Sequence, residues 1–166
     1  MRESDYLKAD SDLMRKLKTI PTLIPFKEED LEVLVLHSKL RTYEEEEIIF
    51  EEGSYDSWLF FIISGKVRVV KRGKELAVME RLGDIFGEMG IIDGSARSAS
   101  VYAVEQTVCL AANASDVDNL SGSDRVTFGY ILYRLFSQIL ADRLRSANEE
   151  LIKKTEDGED LNFEWK

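Results

Sequence analysis

From Arg41 onward the chain stops reading as helix and begins to read as strand, in short lengths. "EEIIFEEG", "SWLFFIISG", "KVRVVKRG" and "KELAVMERLG" follow one another, each closed by a glycine. In "KVRVV", Val67 and Val69 share one face while Lys66 and Arg68 take the other, the period of two that a pleated strand imposes. "KRGK", Lys71 to Lys74, reads as a hairpin turn, because Gly73 tolerates positive φ. "SASVYAVEQTVCLAANA" supplies two more strands. Short strands at this spacing predict a sandwich or barrel over about 41–113.

Helical periodicity flanks this region. Leu7, Leu13, Met14 and Leu17 mark a short amphipathic helix over about 4–18, which the two prolines of "IPTLIPF" end. A second helix is expected over about 27–39, with Glu28, Glu29 and Asp30 at its electropositive N-terminus. After Ala114, "SDVDNL" predicts a short helix with Ser115 as N-cap. One long helix then runs from Asp124 to about 154, so that helices fill about 115–154. Its apolar side carries Phe128, Ile131, Leu132, Leu135, Phe136, Ile139, Leu140 and Leu144. A stripe that broad serves two surfaces, either both within the chain's own core or one of them a partner helix, which gives a homodimer through the long C-terminal helix. No repeat or low-complexity linker divides the chain. The reading is therefore one domain over 1–154, with 155–166 an acidic flexible tail.

Composition narrows the chemistry. Apolar residues make up 44% and charged residues 33% of 166, an ordinary globular balance for one domain. Lysine and arginine total 22 against 32 acidic residues, a net charge of −10, which opposes direct nucleic-acid binding. Cys109 is the only cysteine, so an intrachain disulfide is excluded and a buried, inert thiol is expected. His37 is the only histidine, which rules out a multi-histidine metal centre; no metal and no cofactor are expected. The apolar run "WLFFII" is too short to span a bilayer, and "MRESDYLKADSD" has no secretory core; a cytoplasmic protein without membrane contact follows. Nothing pairs a nucleophile with a base, so an enzyme is not expected.

The unusual stretch is "GDIFGEMGIIDGSARSAS", Gly83 to Ser100. Glu88 and Arg97 stand nine residues apart among small and apolar residues. A helical turn opening at Gly87 exposes backbone N–H groups, a cradle for an anion, and Gly87 and Gly90 permit close approach. "DGS", Asp93 to Ser95, returns the chain so that Arg97 and Ser98 face the same anion, with the Ala99 N–H adding a bond. Glu88 is an acceptor suited to a sugar hydroxyl. Two readings remain. Glu88 and Arg97 form an internal ion pair in an empty fold, or they hold opposite ends of a phosphorylated sugar. The second requires a guanidinium not already neutralised by acidic neighbours, and a hollow not filled by apolar bulk.

"GDIFGEMGIIDGSARSASVYA" resembles the phosphate-binding cassette of the cyclic-nucleotide-binding domain family. "IPTLIPF", the strands around Gly53 and Gly65, and the long helix after Asp124 extend that resemblance over roughly residues 20–150. The resemblance implies a mainly β fold, a jelly-roll-like antiparallel β-barrel with N-terminal helices and a long C-terminal helix. It implies that Glu88 accepts from the ribose 2′-hydroxyl and that Arg97 pairs with the cyclic phosphate. Ser98 and the N–H groups of Gly87 and Ala99 would complete the cradle, with Met89 beside them. Val69 and Val78 would pack on the base inside the barrel, and Asn148 and Leu151 would cover it from the C-terminal helix. Ala96 departs from the proline that many members carry before the arginine, which loosens the loop without removing a contact group.

The function implied is a non-catalytic sensor of cAMP, with cGMP second. It would signal through its C-terminal helix to an unidentified effector protein in trans, as a stand-alone module. After Lys154 too few residues remain for a helix-turn-helix DNA reader. The competing reading is a ligand-free structural or protein-interaction module that keeps the barrel.

Overall fold

The structure is a computed structural model and describes residues 1–4 and 11–156. Of the helix expected over 4–18, residues 5–10 lie outside that description; the rest is α1 (Ser11–Lys18), which buries Leu13, Met14 and Leu17. Helix α2 (Glu28–Leu36) carries the three acidic residues in its first turn. It ends earlier than expected. His37 caps it, its ring 5.5 Å from that of Phe128, and strand β2 starts at once at Ser38.

Among the described residues, nine strands form two antiparallel sheets. One has the order β1 (Arg2–Glu3), β2 (Ser38–Tyr43), β9 (Thr107–Asn113), β4 (Trp58–Ser64) and β7 (Ile85–Phe86). The other has the order β3 (Ile48–Phe50), β8 (Ser100–Ala103), β5 (Val67–Lys71) and β6 (Lys74–Met79). The crossed order of sequence neighbours is that of a jelly roll. The β5–β6 hairpin turns at Arg72 and Gly73, both at positive φ (50° and 75°), the geometry of a type I′ turn.

The central strands β9 and β4 of the five-stranded sheet are buried on both faces, which explains why "WLFFII" shows no alternation in sequence. Along β4, Leu59 and Phe61 join the core shared with the helices, while Phe60 and Ile62 point into the barrel. Strand β9 does the same, sending Leu110 and Ala112 to the helices and Cys109 and Ala111 inward. Burial pushes the Cys109 thiol up to about 12, the inert state expected of it.

After β9 a single 3-10 turn, Ala114–Asp118, is capped by Asn113, whose side chain accepts from the Ser115 N–H; Ser115 is therefore the residue capped and not the cap. Helix α4 (Gly122–Glu156) has 35 residues, about 52 Å of rise. Its apolar residues divide between two faces. Phe128, Ile131, Leu132, Leu135 and Ile139 are buried against the helical core. Val126, Tyr130, Tyr133, Leu140 and Leu144 are exposed. The tail beyond residue 156 lies outside the described residues. No helix among the described residues is long and apolar enough to cross a membrane.

Candidate functional site

The stretch after β7 folds as its glycines require. Gly87 sits at φ +90°, and a Cβ there would lie 2.8 Å from Arg97 Nη1, so the position needs glycine twice over. Glu88 caps the short helix α3 (Met89–Asp93), which ends at Gly94 in the left-handed region. Gly90 lets the returning chain pass, since a Cβ would meet the Ser95 carbonyl at 2.8 Å. The return is then fastened to the loop after β3. The Arg97 N–H donates to Ser54 O at 2.8 Å, the Gly53 N–H donates to Arg97 O at 2.9 Å, and the Glu52 N–H donates to Ser100 Oγ at 2.8 Å.

This folding brings Gly87, Glu88, Met89, Arg97, Ser98 and Ala99 around one half-open cavity of about 70 Å3. The far wall is apolar: Phe50, Val69, Met79, Phe86 and Val101. Phe60 stacks on Phe86 with centroids 5.1 Å apart and supports that wall from inside the barrel.

Arg97 is not an open cation. Its side chain is 2% exposed and forms a bidentate pair with Asp56, Nε donating to Oδ2 at 3.0 Å and Nη2 to Oδ1. Nη2 also donates to the Trp58 carbonyl at 2.6 Å and Nη1 to the Gly87 carbonyl, while the guanidinium lies 4.1 Å from the Phe50 ring centroid. These bonds use four of the five N–H groups of a guanidinium and leave one on Nη1. The requirement of an un-neutralised arginine is thus not met. The hollow, however, is not filled by side chains.

Glu88 is 1% exposed and does not pair with Arg97. Its partner is Arg143 of α4. Nη2 donates to Oε2 at 3.2 Å, and Nη1 contacts Oε1 without the alignment of a hydrogen bond. The simple internal pair of Glu88 with Arg97 is therefore replaced by two separate pairs, each reaching to another element. Ser98 Oγ lies 3.5 Å from the Met89 sulfur at the cavity edge.

Three expected contacts fall elsewhere. Val78 is opposite Arg68 in the β5–β6 ladder, so it faces outward and is 48% exposed; Met79, opposite Val67, takes the inner place. Asn148 is exposed, and neither it nor Leu151 lines the cavity, because α4 reaches the cavity with Arg143. Arg143 had a legible signal. It stands four residues after Ile139, continuing the inward stripe of Phe128, Leu132 and Leu135 with a charge. Asp56 had none, since its partner is 41 residues away along the chain.

Known proteins supply the context. The sequence model described as "Cyclic nucleotide-binding domain" matches residues 40–124. The cyclic AMP receptor protein of Thermus thermophilus is 34% identical over 128 residues, covering 74% of this chain and 56% of that protein. A cGMP-dependent protein kinase of Eimeria tenella is 30% identical over 60% of this chain and 10% of its own length. The chain thus spans about half, or much less, of these curated relatives. Among solved structures, a cyclic nucleotide-binding domain from Methylobacillus flagellatus superposes with a TM-score of 0.73 at 23% identity, covering 86% of this chain and 84% of that one. The Thermus thermophilus catabolite activator protein superposes with a TM-score of 0.67 at 30% identity, covering 81% and 63%. With the family's sequence model laid over more than half its length, and with the jelly roll and cassette in place, this chain belongs to the cyclic nucleotide-binding domain family.

Proposed function

We propose that this domain binds a cyclic mononucleotide without transforming it, cAMP first and cGMP second, and signals through α4 to an effector protein in the cytoplasm. The observation that carries this reading is the convergence of Glu88 and Arg97 on one cavity whose far wall is apolar. A phosphate meets the free Nη1 N–H of Arg97 and the Ser98 hydroxyl at one end. A ribose hydroxyl meets Glu88 at the other, and the base lies on Val69, Met79 and Val101. Asp56 fixes the guanidinium through Nε and one Nη2 N–H, which orients the remaining donor and avoids reorganisation on binding. A cyclic mononucleotide has about 22 non-hydrogen atoms; at roughly 0.3 kcal/mol each this corresponds to a dissociation constant on the order of 10 μM.

The exposed face of α4 supports a second copy as the element's partner. Val126, Tyr130, Tyr133, Leu140 and Leu144 occupy the positions of a coiled-coil seam, with Ser137 at the one seam position that is not apolar. A second reading has its own observation. Both Arg97 and Glu88 already have partners inside the chain, as they would in a ligand-free interaction module. Calorimetric titration with cAMP, cGMP and 5′-AMP separates the two. Saturable binding of a cyclic form, with 5′-AMP much weaker, supports the sensor; silence from all three supports the interaction module.

A further inference from the structure

Among the described residues that line the cavity, Ser98 carries the only hydroxyl, and that hydroxyl is already engaged. Its Oγ donates to the Met89 sulfur at 3.5 Å. A thioether is a weak acceptor, so an anionic oxygen takes the hydroxyl from it at little cost. Met89 opens α3 and is 48% exposed, which leaves it within reach of small solutes. The chain's other three methionines differ. Met14 is 5% exposed in the helical core, and Met79 packs partly buried against the barrel core. Met1 is exposed but does not line the cavity. Met89 alone joins exposure to a bond with a donor of the site.

We propose that Met89 is a site of reversible oxidation by hydrogen peroxide, and that its oxidation weakens the phosphate end of the cavity. This rests on the cyclic-nucleotide reading and adds to it a control by redox state. A sulfur lone pair attacks one peroxide oxygen. The S–O bond forms as the O–O bond breaks, and the departing hydroxide takes the proton left on the transferred oxygen and leaves as water. The sulfur is oxidised by two electrons to the sulfoxide, and the peroxide is reduced. The sulfoxide oxygen is a strong acceptor that carries partial negative charge and has no proton to donate. It therefore retains the Ser98 hydroxyl and sets negative charge beside the place of the phosphate. Glu88 and Arg97 keep their own bonds, so binding is weakened and not abolished. Methionine sulfoxide reductases return the thioether, one enzyme for each epimer.

The full chain is treated with hydrogen peroxide, the oxygen gained by each methionine is located by peptide mass mapping, and cAMP binding is read by calorimetry. Binding is expected to weaken about tenfold as Met89 is converted, the scale of one lost hydrogen bond to a charged group, and to recover after treatment with both reductases. In Met89→Leu the affinity, whatever its starting value, no longer responds to peroxide, whereas Met79→Leu still responds. In Ser98→Ala, Met89 still gains its oxygen but the loss of affinity shrinks to about twofold or less, because no hydroxyl is left to retain. Conversion of Met14 or Met79 ahead of Met89 overturns the proposal. Unchanged affinity after conversion, or a loss that persists in Met89→Leu or is undiminished in Ser98→Ala, does so as well. Each of these outcomes leaves the nucleotide site standing. No binding of cAMP or cGMP by the untreated chain overturns the site reading and the proposal together.

Discussion

The two ends of the cavity are built in opposite ways. At the phosphate end, Arg97 is sealed in by loops of the barrel itself: Asp56, Trp58, Gly87 and the Phe50 ring hold it, and the backbone on either side of it is fastened to Gly53 and Ser54. At the hydroxyl end, Glu88 is sealed by a side chain from another layer, half in water, on a helix that has left the core. One end is held within the barrel, and the other ties the barrel to α4.

The comparison is broken most directly at the fixed end. Arg97→Ala is expected to weaken cAMP by 100-fold or more on the order-of-magnitude scale of buried charge-pair truncations, as read by calorimetry. Phe60→Ala, beneath the same end, should lower unfolding stability by about 3–5 kcal/mol in chemical denaturation, because Phe60 is 1% exposed and carries Phe86. Asp56→Asn should weaken cAMP about tenfold, since the guanidinium keeps its carbonyl acceptors but loses one charge-assisted partner. At the other end, Leu144→Asp should leave the melting temperature within about 2 °C while lowering the sedimentation-derived mass if the seam pairs two copies.

The smallest expected effect is a pH dependence. The Cys109 thiol is raised to about 12 by burial from an unfolded value of 9.0. Between those values the unfolded chain loses its proton and the folded chain keeps it, so this thiol's share of stability is intact below about 9 and is lost as pH rises towards 12. Cys109→Ala should flatten that part of a stability profile, and a thiol reagent at pH 8 should react only after denaturation.

The sequence carried the fold and one half of each ion pair. Glycine-closed strands, the prolines after α1 and the helical return after Ala114 all rest on local backbone rules, which a single chain displays openly. Glu88, Arg97, Ser98 and the cassette glycines are legible for the same reason, being near one another in sequence. What was not legible is set by pairing at a distance. Val78 and Met79 differ by one position in a strand, and only the register against Val67 and Arg68 says which one enters the barrel. Asp56 is silent in "EEGSYDSW" because its function depends on a guanidinium 41 residues later. The covering role assigned to Asn148 and Leu151 presumed a helix lying closer over the cavity than α4 does, and that geometry is a matter of packing and not of pattern.

The double-sided burial of β4 carries a consequence for how this protein keeps its alignment. A strand with one wet face is held in place by polarity, since a shift of one position would put charges in oil. Leu59, Phe60, Phe61 and Ile62 have no such guard, because either face accepts any of them. What distinguishes the correct alignment is bulk: Phe60 lies across from Ala111 and Phe61 across from Leu110. A volume code, written in the alanines of β9, thus does the work that hydrophilic residues do elsewhere, and enlarging Ala111 would scramble it without changing the hydrophobicity of a single face.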